Sequence, residues 1–295
     1  MNNLNDKPLV SVYVTTKDRP DYLKRALESL SSQTYKHIQV LVCNDGSKIS
    51  YEEAYNELVQ KYTNCFESFV YVCNVVSLGA CLSRNKLLSL AKGKFVTGLD
   101  DDDFFFPKRI ELFIKNYNEN YAFLCAKGSL NIKDQYNREA DGGEVITFEQ
   151  LKNCNLVGNQ IFVEKKRLLE ISGFDKNMPA WQDYDTWFRL LEKYDRCYKL
   201  NARTMFIDTN ILRERISTTS KAHYGYRAFI EKHASKLSKY NLLSLKYNDL
   251  INRKEKFPIF TKDLISHPKL LIRVFKERSV YYYPSLYSFY RKFLS

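Results

Sequence analysis

What this chain lacks narrows it first. The longest stretch free of charge runs from Ser68 to Ser83 and contains Asn and several Ser, short of the roughly 20 apolar residues needed to cross a bilayer. A spanning helix is therefore not expected. The N-terminal MNNLNDKPLV has no positive segment leading into an apolar one, which argues against a cleaved secretory signal and for a cytoplasmic protein. The seven cysteines are an odd number without a Cys-x-x-Cys pair, so neither a disulfide framework nor a zinc cage is indicated. Several stand in apolar runs, IQVLVC and FVYVC, and are expected to be reduced and buried.

What is present suits a folded α/β chain: 295 residues, 44% hydrophobic and 27% charged, enough to bury a sizeable core. The net charge of +12 is unevenly placed. From Lys236 to Ser295 there are 13 Lys and Arg against 4 Asp and Glu, a surplus of nine that leaves only three for the first 235 residues. A nearly neutral front with a basic tail rich in Tyr and Phe points to an anionic membrane surface rather than to nucleic acid.

Along the chain, Leu9 to Val14 reads as a strand, followed by the polar turn Thr15-Thr16-Lys17-Asp18-Arg19 and Pro20. Asp18 is the expected N-cap of a helix whose Leu23, Ala26, Leu27 and Leu30 recur on one face. Further strands are predicted at Ile38 to Cys43, Phe69 to Cys73 and Lys94 to Leu99, with a helix over Ala80 to Ala91. Four βα units predict a mostly parallel sheet covered on both faces, with ligands at the carboxyl ends of its strands. Polar groups gather there: Thr15 and Thr16, then Asp45 in Asn44-Asp45-Gly46-Ser47, then Gly79, then Asp100 to Asp103. Four adjacent carboxylates repel one another and require compensation. Hard oxygen donors suit Mg²⁺ or Mn²⁺, which bind through one or two carboxylates and substrate phosphates.

The chain resembles the inverting nucleotide-sugar glycosyltransferases of family 2, which have the GT-A fold. The resemblance is carried by VSVYVTTKDRPDYLKRALESLSSQTY, VCNDGS, SLGACLSRN, GKFVTGLDDDD and SGFDKNMPAWQDYDTWFRL, ordered between Leu9 and Asp208. It implies a catalytic domain over 1–223, with a nucleotide-binding half at 1–105 and an acceptor-binding half at 106–223, and a helical basic extension over 224–295. It places Thr15 and Arg19 beside the nucleoside and Asp45 on a uracil edge. Asp100 then faces the ribose and Asp102 ligates the metal. Asp103 ligates it or supports it from behind, and Asp101, at the variable position, is expected to face solvent. Arg84, of an Arg-Asn pair, lies near the diphosphate or pairs with the acidic row.

An inverting transfer needs a general base at the acceptor hydroxyl, and the resemblance assigns it to Asp183. Gln182 stands where relatives carry Glu, and with Trp181 it is expected to hold the acceptor sugar. Trp187 reads as core. Arg215 replaces a His found in many relatives and is expected to bind phosphate, since Arg cannot ligate a metal. Either His223 supplies the missing ligand or the ion has only carboxylate, diphosphate and water, which is the favoured arrangement.

The expected activity is metal-dependent transfer of a hexose, glucose or galactose, from a UDP-sugar to a hydroxyl of a lipid-linked saccharide. The product would be a β-linkage in bacterial surface polysaccharide (O-antigen or capsule), and the protein would sit on the inner face of the cell membrane. The alternatives are another UDP-sugar such as UDP-N-acetylglucosamine, a nucleotidyltransferase, or a nucleic-acid-binding protein using the basic tail.

Overall fold

The computed structural model describes residues 7–136, 142–208, 220–258 and 261–282. The chain divides into two compact units. One comprises Met1–Leu151, Asn155–Asn177 and Gln182–Ile211, the other Lys152–Cys154, Met178–Trp181 and Leu212–Ser295.

The first unit begins β1 (Val10–Thr16), α1 (Pro20–Ser31), β2 (Ile38–Asn44), α2 (Glu52–Tyr62), β3 (Ser68–Cys73), α3 (Ala80–Leu90) and β4 (Phe95–Asp100). β1 lies between β2 and β4, and β3 lies outside β2, all parallel. β1 and β2 bury nearly every residue, as strands covered on both faces must. β3 is half-buried along its length, as suits an edge. Leu23, Ala26, Leu27 and Leu30 of α1 join Val10, Val12, Val14, Val40 and Val42 in one core. Each buried Leu there contributes about 1.5–3 kcal/mol relative to exposure.

The chain continues through β5 (Phe104–Phe105), α4 (Arg109–Lys115), β6 (Leu124–Ser129), β7 (Gly143–Thr147), α5 (Phe148–Leu151), β8 (Phe162–Glu164), α6 (Lys165–Glu170), α7 (Gln182–Tyr194) and β9 (Arg196–Phe206). The sheet order is β3-β2-β1-β4-β8-β6-β9-β5, with β7 also on β9. β8 runs antiparallel to β4 and β6, while β6 and β9 are parallel, so the sheet is parallel in its first half and mixed in its second. Phe104 pairs with Phe206, which carries the residues after β9 back to the acidic row that ends at Asp103.

Two details of the strand ends differ from expectation. Arg19, not Asp18, occupies the N-cap position of α1, without a side-chain cap. Asp18 adopts a positive φ of 55°, and its carboxylate accepts the Lys48 backbone N–H at 2.7 Å while its own N–H donates to Ser47 Oγ at 2.7 Å. It ties the loop after β1 to the loop after β2. Cys43, Cys81, Cys125 and Cys197 are buried free thiols as expected, but Cys65 and Cys73 are exposed, because one follows the end of α2 and the other ends the edge strand.

The second unit contains α8 (Ser220–His233), α9 (Lys239–Asn252), α10 (Lys262–Ile265) and α11 (Pro268–Tyr282). Ser238 and Asn241 form a reciprocal capping box at the start of α9, satisfying two orphan donors. Tyr247, Leu264, Leu270 and Val274 make this unit's own small core. Among the described residues, no helix is long and apolar enough to cross a membrane.

Candidate active site

The acidic row follows β4, and each carboxylate is held differently. Asp100 Oδ1 accepts Arg84 Nη2 at 3.0 Å, and Oδ2 accepts Asn159 Nδ2 at 3.3 Å. Asp101 is 5% exposed and accepts Thr16 Oγ1 at 2.8 Å and Arg19 Nη1 at 3.3 Å. It does not face solvent as its variable position had implied, because the neighbouring β1 ends with a hydroxyl aimed at it. Burial pushes its carboxyl up, and Arg19 and Thr16 oppose that rise. Arg19 Nη1 is also 4.0 Å from Asp102, whose backbone carbonyl accepts the guanidinium of Arg25. Asp103 accepts the Asp208 N–H at 2.9 Å on one oxygen and Asn159 Nδ2 at 3.0 Å on the other. Arg25 in turn pairs with Asp208 at 2.9 Å. Arg19 and Arg84 thus set positive charge against the row, as adjacent carboxylates require, and Thr16 and Asn159 add hydrogen-bond donors.

The second acidic element begins α7. Asp183 Oδ1 accepts Arg84 Nη1 at 2.9 Å, so one guanidinium forks between Asp183 and Asp100 in the planar geometry that arginine provides. Gln182 Oε1 lies 3.5 Å from the same nitrogen. The guanidinium stacks 5.2 Å over the Phe174 ring. The adjoining Asn85 fixes that ring's backbone, accepting Phe174 N–H at 2.8 Å and donating to its carbonyl at 2.7 Å. The Arg84-Asn85 pair is therefore a two-part brace. Asp183 is 26% exposed, and among the described residues its Oδ2 accepts no hydrogen bond. Desolvation raises its pKa to about 6 against the opposing pull of Arg84, with Asp100 adding to the rise. Burial would lower the pKa of Arg84, but Asp183 and Asp100 more than offset it and raise the value.

Asp45 has a different task. Its Oδ1 accepts Asn74 Nδ2, the Leu78 N–H and Ser83 Oγ, and its Oδ2 accepts Ser77 Oγ and the Gly79 N–H, all within 2.8–2.9 Å. Burial pushes this carboxyl up, yet these bonds outweigh it and hold the pKa at about 2. A carboxylate offers about four lone-pair positions, so a hydrogen bond to a base edge requires one of these donors to move aside. These bonds pin the turn before α3 to the loop after β2. Gly46 makes the approach possible: its φ is +71°, and a Cβ would lie 2.5 Å from the Ser77 nitrogen.

Thr15 sits half-buried at the end of β1, in register with Asp100 on β4. Trp187 is core, donating its indole N–H to the Gly158 carbonyl at 2.9 Å. Trp181 has a φ of +60° and belongs to the second unit, where its ring meets Tyr226 edge-on and lies 5.6 Å from Phe229. His223, also in that unit, pairs through Nδ1 with Asp249 at 3.1 Å. Arg215 lies outside the described residues. Sequence reasoning missed Arg25, Asn159 and Asp208, none of which belongs to a short motif, and it named Thr16 without a partner.

The carboxylates fit a hard divalent cation. Their oxygens are the right donors, and the guanidinium of Arg19 already rests positive charge against Asp101 and Asp102. Among the described residues, no group of three or more His, Cys, Asp or Glu is arranged to hold a metal ion by itself. Both oxygens of Asp103 accept protein hydrogen bonds.

The Glycosyl transferase family 2 model matches residues 11–177, which takes in β1 to β4, the acidic row and the Arg84 brace. The chain belongs to glycosyl transferase family 2. Among its relatives is the putative colanic acid biosynthesis glycosyl transferase WcaA of Escherichia coli K12, 29% identical over 254 residues, 82% of this chain and 88% of that one. Among solved structures, S. aureus TarS superposes with a TM-score of 0.62 at 16% identity, covering 90% of this chain and 49% of that one. Its residues 1–349 have been solved with UDP and with UDP-GlcNAc. The mannosyltransferase PcManGT of Pyrobaculum calidifontis, solved with GDP-Man and Mn²⁺, gives a TM-score of 0.55 at 13% identity over 95% of this chain and 88% of that one. These likenesses establish the GT-A fold for this family 2 chain.

Proposed function

We propose that this glycosyltransferase moves a hexose, glucose or galactose, from a UDP-sugar to a hydroxyl of a lipid-linked saccharide with inversion, forming a β-linkage in bacterial surface polysaccharide. The single observation that carries the reading is the Arg84 fork, which joins the donor-side Asp100 to an Asp183 whose pKa is raised to about 6 and whose Oδ2 is open among the described residues. The relation to a colanic acid biosynthesis transferase supports the pathway class.

In this mechanism Thr15 and Arg19 border the nucleoside, Asp100 meets the ribose and Arg215 binds phosphate. Asp102 would hold Mn²⁺ or Mg²⁺, supported by Asp103, and such an ion would neutralise diphosphate charge. Gln182 holds the acceptor sugar. Asp183 Oδ2 takes the proton from the acceptor hydroxyl as that oxygen bonds to the anomeric carbon, and the bond from the same carbon to the UDP oxygen breaks with its electrons leaving on UDP. A base with a pKa near the working pH is suited to this transfer. Because the acceptor is lipid-linked, the basic segment 236–295 holds the protein to the anionic inner face of the membrane.

Calorimetric titration of UDP-glucose, UDP-galactose, UDP-N-acetylglucosamine and GDP-mannose, each with and without Mn²⁺, tests the donor. Metal-dependent binding of UDP-glucose or UDP-galactose is expected. Selective binding of GDP-mannose or UDP-N-acetylglucosamine would replace the proposed sugar, and no binding to any of them would remove the reading.

A further inference from the structure

We propose that the solvent face of α11, with Ile272 and Phe275 between Lys269 and Lys276, and Ile265 of α10 beside it in sequence, is the surface that lies in the interface of an anionic bilayer. This inference rests on the membrane association proposed above and assigns it to particular residues.

α11 carries apolar residues on two faces. Leu270 and Val274 are buried in the small core with Tyr247 and Leu264. Ile272 is 68% exposed, Phe275 53% and Ile265 58%. At 100° per residue, Pro268, Lys269, Ile272, Phe275 and Lys276 share one stripe, and no acidic residue falls within it. Glu277, the acid of this helix, lies to the side of the stripe, 3.8 Å from Arg273.

Apolar residues flanked by lysines describe a helix lying flat in a membrane interface, its apolar groups among the acyl chains and its ammonium groups reaching lipid phosphates. The sequence beyond α11 continues the same chemistry, with Tyr287, Phe289, Tyr290, Arg291, Lys292 and Phe293. Charge favours lipid over a second copy of the chain as the occupant. The surplus of nine positive charges from Lys236 onward would oppose itself across a dimer and is neutralised by an anionic leaflet.

The test is co-sedimentation of the full chain with vesicles of phosphatidylcholine alone or mixed with phosphatidylglycerol. The wild type should bind the mixed vesicles. Ile272→Glu/Phe275→Glu should lower that affinity about tenfold or more, with the far-ultraviolet spectrum and UDP-sugar titration unchanged. Lys269→Gln/Lys276→Gln, which leaves every apolar contact in place, should weaken binding to the mixed vesicles only, and it decides the matter if the first variant fails to fold. A wild type without affinity for either vesicle would sink the membrane reading itself. Wild-type binding that survives both double variants would overturn this surface while leaving that reading intact. A wild-type dimer by light scattering that Ile272→Glu/Phe275→Glu dissolves would overturn it in favour of self-association.

Discussion

The two acidic regions, the row after β4 and the start of α7, hold negative charge in opposite ways. Asp100, Asp101 and Asp103 are met by cations or hydrogen-bond donors on both oxygens, so the row is a rigid, compensated platform. Asp183 is met on one oxygen, and desolvation raises its pKa. Carboxylates met by donors on both oxygens are held as fixed charges, whereas a group that is to accept a proton needs an unsatisfied atom and a pKa close to ambient pH. Arg84 touches both regions.

The sharpest way to break this contrast is Asp183→Asn. Transfer should fall by about 10²–10⁴-fold while UDP-sugar affinity, measured calorimetrically, stays within about twofold. Loss of both together would place Asp183 on the donor side and erase the distinction. The converse variant, Asn159→Ala, removes a side chain that donates to both Asp100 and Asp103. Supporting residues of this kind cost about 10–100-fold in metal affinity or activity, here expected as weakened Mn²⁺-dependent donor binding.

Stability measurements sharpen the saturated side. Asp45→Asn places an amide among five donors and should cost about 1–3 kcal/mol in denaturant unfolding. Its folded-state pKa of about 2 lies below the ordinary 3.8, so its contribution of about 2 kcal/mol is complete above the ordinary value and is lost as pH falls towards the folded one. The variant's stability should not show that acid dependence. Gly98→Ala probes the strand beneath the row. A Cβ there would lie 2.1 Å from Gln160 Oε1 and 2.5 Å from the Tyr13 ring, and overpacking of this kind costs about 1–3 kcal/mol, readable as a lowered Tm. An unchanged Tm would show that Gln160 and Tyr13 yield freely.

The same contrast explains what could be read in the sequence. β1 to β4 and the helices α1 and α3 follow from apolar periodicity, which depends on near neighbours, and their ends fall within two residues of expectation. The four aspartates were visible as a row, but not which of them turned inward. That depends on Thr16 from the adjacent strand and on Asn159 and Asp208, placed by β8 and β9 far along the chain. Asp45 was visible in a turn motif, yet its saturation depends on a second loop that Gly46 lets approach. Asp183 was found through resemblance alone. Its raised pKa comes from desolvation, which no local spacing reveals.

The pH dependence of kcat/KM for sugar transfer is the most direct measurement of the central claim, that Asp183 is the base. Above about 6 the carboxylate is ionised and able to accept a proton, so activity should fall tenfold for each unit of pH below that value. Arg84 holds the pKa down from where desolvation alone would set it, so Arg84→Gln should move the acid limb to higher pH. A profile flat from neutrality to well below pH 6, or an acid limb retained unchanged in Asp183→Asn, would contradict the assignment.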